Sequence, residues 1–233
     1  MLDAPRTDKA FAAALPMTAL PTWRVHLGLP LCGNRMVNGS LHAVVELARG
    51  DTLRDFTDGM TRQAAEEFPA ALADLRTQFP IVEGSIGVVG GSLGGLVALR
   101  VLAAAEVSVA AAALINPLIR ARTMIAMIDD QLGRLYPWDK ATNDLADELD
   151  FVARAATITP PLLVVSGEND YPTFRPDARE LAAAAPQGEL LSMPGLAHPL
   201  AEEPGMEPAP QLPIAKQVDD ALTEWFARHE LGT

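Results

Sequence analysis

The sequence predicts an α/β fold built on a mostly parallel sheet of about five or six strands, with helices on both faces. Two observations support this prediction. Short apolar runs, typical of buried strands, alternate along the chain with longer amphipathic patterns that are typical of helices. The 233 residues are 49% apolar and 21% charged, and no linker-like tract or internal repeat interrupts them, which indicates a single domain over 1–233.

The predicted elements follow in a regular order. Strands are expected at 23–28, 86–90, 108–114, 161–166 and 189–193. Helices are expected at 59–78, 93–104, 118–135, 142–156, 174–185 and 211–229, whereas the pattern at 41–48 fits either a strand or a short helix. The run at 161–166 is continuously apolar, as in parallel strands that are buried on both faces. The pattern at 59–78 has an apolar stripe at helical spacing and stops before Pro80.

The most informative segment is the turn of small residues between strand 86–90 and helix 93–104. Its core, Gly90-Gly91-Ser92-Leu93-Gly94, has the Gly-x-Ser-x-Gly spacing of a nucleophile elbow. Glycines permit the sharp reversal that exposes the Ser92 hydroxyl, and the helix directs its free N–H groups to the same place. A glycine-rich turn that only packs closely is the alternative. Phosphate-binding loops match poorly, because the middle glycine is displaced and no Gly-Lys-Ser/Thr follows.

Two further polar side chains follow predicted strands downstream of Ser92. Asp170 lies in the loop after strand 161–166, with Glu168 as the alternative acid, and His198 follows strand 189–193 through a Pro-Gly turn. Catalytic groups of open parallel sheets gather at the carboxyl ends of strands. We therefore expect a hydroxyl, a carboxylate and an imidazole to meet at one edge of the sheet.

With these three residues in the order Ser, Asp, His, the chain resembles the α/β-hydrolase family over about 23–229. The resemblance implies that His198 takes the proton of Ser92 and that Asp170 orients the imidazole. It also implies an oxyanion site with the Leu93 backbone N–H as first donor. Larger members begin with an antiparallel hairpin for which this chain has little room, so we expect a trimmed N-terminus. A short helical cap is expected at about 118–156.

The loop after strand 23–28 departs from the family pattern. Its usual His-Gly pair is missing, and Pro30 has no N–H, so the second oxyanion donor is expected at the backbone of Leu29 or Leu31. Cys32, the only cysteine, is expected as an apolar wall of the substrate pocket rather than as a nucleophile.

Flexible apolar side chains in the expected cap are candidates for an acyl pocket. We assign Met124 and Met127 to this pocket, since methionine adapts to varied shapes. Core packing or a contact in a homodimer is the alternative for the same segment.

Charge and composition exclude several classes of function. The formal net charge of −12 disfavours nucleic acid and anionic membranes, and no cluster has metal-ligand spacing, so we expect neither metal nor other cofactor. The longest apolar run, 107–115, is too short for a membrane span. One cysteine and no secretory pattern at the start of the sequence predict a cytoplasmic protein.

The expected activity is that of a serine hydrolase that cleaves a small carboxylic ester through an acyl-enzyme on Ser92. Thioesterase, amidase and peptidase activities use the same chemistry and remain alternatives. A binding protein that has the fold without the activity is the alternative from another class.

Overall fold

The sheet has four parallel strands in the order β1-β2-β3-β4, in a computed structural model that describes residues 3–229 and 231. The strands are β1 (Ile86–Gly91), β2 (Val109–Ile115), β3 (Leu162–Asn169) and β4 (Gly188–Ala197). Each pair of neighbours is parallel, so all four carboxyl ends lie at one edge of the sheet. The predicted parallel fold is confirmed, but the expected number of strands was too high.

Eight α-helices occur in the described part of the chain. They are α1 (Asp8–Ala14), α2 (His42–Gly50), α3 (Met60–Gln78), α4 (Leu93–Ala104), α5 (Ala121–Leu132), α6 (Lys140–Glu148), α7 (Phe174–Ala184) and α8 (Pro213–Arg228). A π-helical segment, Thr52–Gly59, runs directly into α3, and short 3₁₀ turns lie at Gly33–Arg35 and Ala155–Thr157. The ambiguous segment at 41–48 is thus mainly helical.

The strand expected at 23–28 does not form. The guanidinium group of Arg24 donates to the carbonyls of Leu20 and Thr22, and Trp23 packs on Phe79 with ring centroids 5.8 Å apart. These local contacts take the place of sheet pairing. An alternating pattern predicts a strand only where a partner strand is available, and here none of the described strands pairs with the segment.

The helix expected at 142–156 is also shorter than predicted. Helix α6 ends at Glu148, and the Asp150 carboxylate then accepts hydrogen bonds from the backbone N–H groups of Val152 and Ala153 at 3.0 Å. The same carboxylate pairs with Arg120 at 3.2 Å. A side chain that satisfies nearby backbone donors competes with the helix, which explains the break.

The sheet separates two apolar cores, and strand β2 shows the separation best. Ala112 and Leu114 face a core that includes the π-helical segment, α4 and α5, whereas Ala113 and Ile115 face a core formed with α1 and α8. The alternation follows from the pleat of a strand. Helices therefore cover both faces, as predicted. Within the described residues, no helix combines the length and the apolar character that a bilayer crossing requires.

Candidate active site

Ser92 lies in a strained turn between β1 and α4. Its backbone has φ 50° and ψ −120°, a region that non-glycine residues rarely adopt. Its N–H donates to the carbonyl of Ile115 at 3.0 Å, and its carbonyl accepts from Leu118 at 3.0 Å, which fixes the turn to the end of β2. A Cβ atom on Gly90 would overlap the carbonyl of Gly94, so the turn requires glycine there.

Ser92, His198 and Asp170 form one hydrogen-bonded row. The Nε2 atom of His198 lies 2.8 Å from the Oγ atom of Ser92, and its Nδ1 atom lies 2.7 Å from Oδ1 of Asp170. The Asp170 side chain is fully buried, and that of His198 is 6% exposed. The structure thus brings together the three side chains that the sequence singled out.

Asp170 rather than Glu168 occupies the place beside the imidazole. Its Oδ1 atom also accepts a hydrogen bond from the Tyr171 backbone N–H at 2.7 Å. Its Oδ2 atom is buried without a protein partner among the described residues. The exposed Glu168 carboxylate instead accepts a hydrogen bond from the Ser192 hydroxyl at 3.2 Å.

Asn116, directly after β2, links the loops that carry Asp170 and His198. Its side-chain amide donates to the carbonyl of Ala197 at 2.8 Å, and its Oδ1 atom accepts from the N–H of Gly167 at 2.8 Å. One side chain therefore links the end of β3 to the residue before His198. Sequence reasoning missed Asn116, although a polar residue directly after a buried strand was a usable signal.

Two aromatic rings, also missed from the sequence, hold the imidazole in place. The ring centroids of Tyr171 and Phe174 lie 4.8 and 5.6 Å from that of His198. These contacts restrict rotation of the ring, because aromatic pairs at such distances are favourable. Their nearness to Asp170 in the sequence was the only available signal.

A cavity of about 20 Å³ lies beside Ser92, enough for about one water molecule. It is lined by Ser92, Leu93, His198, Tyr171 and Phe174, and by Asp3, Phe56, Leu118, Met124 and Met127. The two methionines thus lie at the candidate pocket. An open depression of about 520 Å³ elsewhere is lined only by residues between Thr18 and Arg24 and contains none of the candidate residues.

Leu29, Leu31 and Cys32 are not among the described residues that line the cavity beside Ser92. Both leucines are partly buried against the core that includes α4 and α5, and Cys32 is buried within it. Burial raises the pKa of the Cys32 thiol to about 11, although the charge of Arg35 acts in the opposite direction. The structure thus places Cys32 in the apolar core and not, as had been expected, in the wall of this cavity.

Negative charge surrounds the phenol of Tyr171. Its hydroxyl donates to Oδ2 of Asp3 at 2.8 Å. Burial raises the pKa of Tyr171 to about 12, with further contributions from Asp3, Asp170 and Glu203. Among the described residues, no group of three histidine, cysteine or acidic side chains is arranged to hold a metal ion.

The chain is similar to known proteins in part of its sequence and in its fold. The model of the prolyl oligopeptidase family matches residues 48–193, a range that contains Ser92 and Asp170. No curated protein matches the chain.

Two of the solved structures that match this chain illustrate the shared fold. The monoacylglycerol lipase of Paleococcus ferrophilus is 17% identical, with a TM-score of 0.50 over 73% of this chain and 76% of the lipase. A puromycin-hydrolyzing peptidase of Mycobacterium tuberculosis is 17% identical, with a TM-score of 0.56 over 72% of this chain but only 25% of the peptidase. The resemblance to α/β hydrolases is thereby confirmed at the level of the fold.

Proposed function

This chain belongs to the prolyl oligopeptidase family of α/β hydrolases, and we propose that it cleaves carboxylic esters through an acyl-enzyme on Ser92. The observation that carries the proposal is the continuous row from Ser92 Oγ through the imidazole of His198 to Asp170, with contacts of 2.8 and 2.7 Å. Serine is a weak nucleophile unless a base removes its proton, and this row supplies the base.

The first half of the reaction forms the acyl-enzyme. Neutral His198 carries its proton on Nδ1, where it donates to Asp170, and Nε2 accepts the proton of Ser92 as Oγ attacks the ester carbonyl. The resulting oxyanion is stabilised by the N–H of Leu93, which begins α4 and has no partner inside the helix. The imidazolium then gives its proton to the leaving alkoxide, and the C–O bond of the ester breaks.

The second half releases the acid. Water gives a proton to Nε2 and attacks the acyl carbonyl, and the bond to Ser92 Oγ breaks as His198 returns the proton to it. The buried Asp170 carboxylate stabilises the imidazolium in both halves.

Hydrolysis of a peptide or another amide on the same row is the second candidate. The matched family is named for an oligopeptidase, and this observation favours it. The chemistry differs only in the group that His198 protonates, an amine instead of an alkoxide.

A fluorophosphonate probe tests the proposal directly. We expect native protein to be labelled, and neither Ser92→Ala nor heat-denatured protein to react. Ser92→Ala and His198→Ala should each lower ester turnover by about 10⁶-fold with little change in thermal stability. The exposed Ser192→Ala is the matched control and should keep full activity.

A substrate panel then separates the candidates. 4-Nitrophenyl esters from acetate to decanoate, with a thioester and 4-nitroanilides as comparisons, give kcat/KM for each bond type. We expect kcat/KM to be higher for the esters than for the thioester and the anilides. Among the esters, short acyl groups should be preferred because the cavity is small. A native protein that neither reacts with the probe nor hydrolyses any of these compounds would overturn the proposal and favour a binding protein with this fold.

A further inference from the structure

The cavity beside Ser92 contains one carboxylate that the proposed reaction does not use. Asp3 lines the cavity, and its Oδ2 atom lies 3.9 Å from Nε2 of His198, the nitrogen that contacts Ser92. The same oxygen accepts the hydrogen bond from Tyr171 at 2.8 Å. The Asp3 side chain is 25% exposed, so part of it is open to an incoming group.

The backbone around Asp3 is fixed to the loop that follows His198. The carbonyl of Ala4 accepts from the N–H of Leu200 at 3.0 Å, and the N–H of Arg6 donates to Gly205 at 2.8 Å. The hydroxyl of Thr7 adds a bond of 2.8 Å to the carbonyl of Met206. Asp3 is therefore held at the cavity by contacts between segments that are about 200 residues apart.

Among the described residues that line the cavity, none is a lysine or arginine that could balance this charge. The cavity's other lining residues are mainly apolar, and Asp3 carries the only carboxylate among the described residues that line it. A substrate that enters displaces water from around Asp3. A neutral substrate would then leave the carboxylate desolvated, which is costly, and an anionic substrate would be repelled.

A cation on the substrate would remove this cost. A scissile carbonyl carbon in contact with Ser92 Oγ lies beside the Nε2 atom of His198, which is itself 3.9 Å from Asp3. An ammonium group two to four bonds from that carbon can reach the free lone pairs of the carboxylate. The negative charges of Asp170 and Glu203, which add to the effect of burial on the pKa of Tyr171, act in the same direction.

We propose that Asp3 is a specificity-determining residue that selects small substrates with a cationic amine close to the scissile carbonyl. This inference rests on the proposed hydrolase activity and names its substrate class. The amine belongs either to the acyl group or to the leaving group, since Nε2 faces both during the reaction.

Two pairs of isosteric esters test the inference. On the acyl side, 4-nitrophenyl alaninate is compared with 4-nitrophenyl isobutyrate, in which a methyl group replaces the ammonium. On the leaving-group side, 2-(dimethylamino)ethyl acetate is compared with 3-methylbutyl acetate. In wild-type protein we expect kcat/KM to favour the cation by about 10- to 100-fold in at least one pair, and that pair identifies the side.

Variants distinguish charge from structure. Asp3→Asn should remove the preference. Glu189→Gln makes the same change of net charge near the start of β4, away from the end that leads to His198, and should retain the preference. Tyr171→Phe removes the hydrogen-bond donor but keeps the carboxylate, and should also retain the preference.

Wild-type protein without a preference in either pair would overturn the inference while leaving the hydrolase proposal intact. An equal loss of preference in Asp3→Asn and Tyr171→Phe would also overturn it, because the effect would then come from the contact and not from the charge. Absence of both fluorophosphonate labelling and ester hydrolysis would instead reject the hydrolase proposal, and the inference with it.

Discussion

The Nε2 atom of His198 lies 2.8 Å from the Oγ atom of Ser92, although 106 positions of sequence separate the two residues. The parallel sheet accounts for this contact. Ser92 follows β1 and His198 follows β4, and both strands end at the same edge of the sheet. This hydrogen-bonded pair is thus fixed by the ends of strands, whereas the groups around it come from loops and from the segment between β2 and β3.

The role of the acid can be tested by two amide substitutions. Asp170→Asn should lower kcat by about 10⁴-fold, because the amide favours the wrong imidazole tautomer. Glu168→Gln makes the same chemical change at the exposed alternative acid and should leave kcat within about twofold of wild type. Steady-state kinetics on a 4-nitrophenyl ester measure both. A larger loss of kcat in Glu168→Gln than in Asp170→Asn would show that Glu168, and not Asp170, orients the imidazole.

Asn116 is expected to be a positioning residue. Asn116→Asp keeps the acceptor for the N–H of Gly167 but loses the donor to the carbonyl of Ala197 and places a charge against it. The free energy of unfolding should fall by about 1–3 kcal/mol, as for an unsatisfied buried group. Denaturant titration measures this change.

A purely structural role would leave the chemistry of folded Asn116→Asp protein intact. We expect instead that kcat falls by at least about tenfold while KM changes little, because the substituted residue contacts the segment before His198 and not the substrate. An unchanged kcat in the folded variant would show that the link does not position the base.

The size of the cavity sets the expected acyl preference. Met127 lines it and is only partly buried, so Met127→Ala should enlarge the site without unfolding the protein. The ratio of kcat/KM for decanoate to that for acetate should rise by about tenfold. Met36→Ala, at a partly buried methionine outside the cavity, is the control and should leave the ratio unchanged. Equal ratios in all three proteins would place the acyl site elsewhere.

Cys32 should be chemically inert in the folded protein. With a pKa of about 11, raised mainly by burial, its thiol is almost fully protonated at neutral pH, and only the thiolate is reactive. Iodoacetamide should therefore react at least about 100-fold more slowly with native than with denatured protein at pH 8. The native rate should increase with pH up to about 11, and Cys32→Ala should retain ester hydrolysis. Fast reaction at pH 8 would contradict the burial of the thiol.

Local patterns predicted the parts of the site that strand ends determine. Ser92, Asp170 and His198 each follow an apolar run, so their meeting follows from the rule that parallel strands end together. The strand predicted at 23–28 was wrong, because the alternation of apolar and polar residues there does not show whether a partner strand is present. The end of α6 depends on Asp150, whose carboxylate accepts hydrogen bonds from backbone N–H groups that come within reach only in the folded chain.

Other parts of the site have no local signal at all. Asp3 reaches the cavity because the loop after His198 binds the backbone of Ala4 and Arg6, and pairing over such a distance cannot be deduced from one sequence. The contacts of Tyr171 and Phe174 with the imidazole depend on the direction in which α7 leaves β3. These are tertiary effects, and the local sequence pattern does not contain them.

Strand β2 limits how this protein can be modified. Four consecutive alanines, from Ala110 to Ala113, place single methyl groups on both faces of the sheet, and Ala111, Ala112 and Ala113 are fully buried. A larger side chain at the fully buried Ala112 has no space to occupy, and would move the layers that carry Ser92 and Asn116. Engineering of new substrate ranges should therefore begin in α5 and leave the centre of the sheet unchanged.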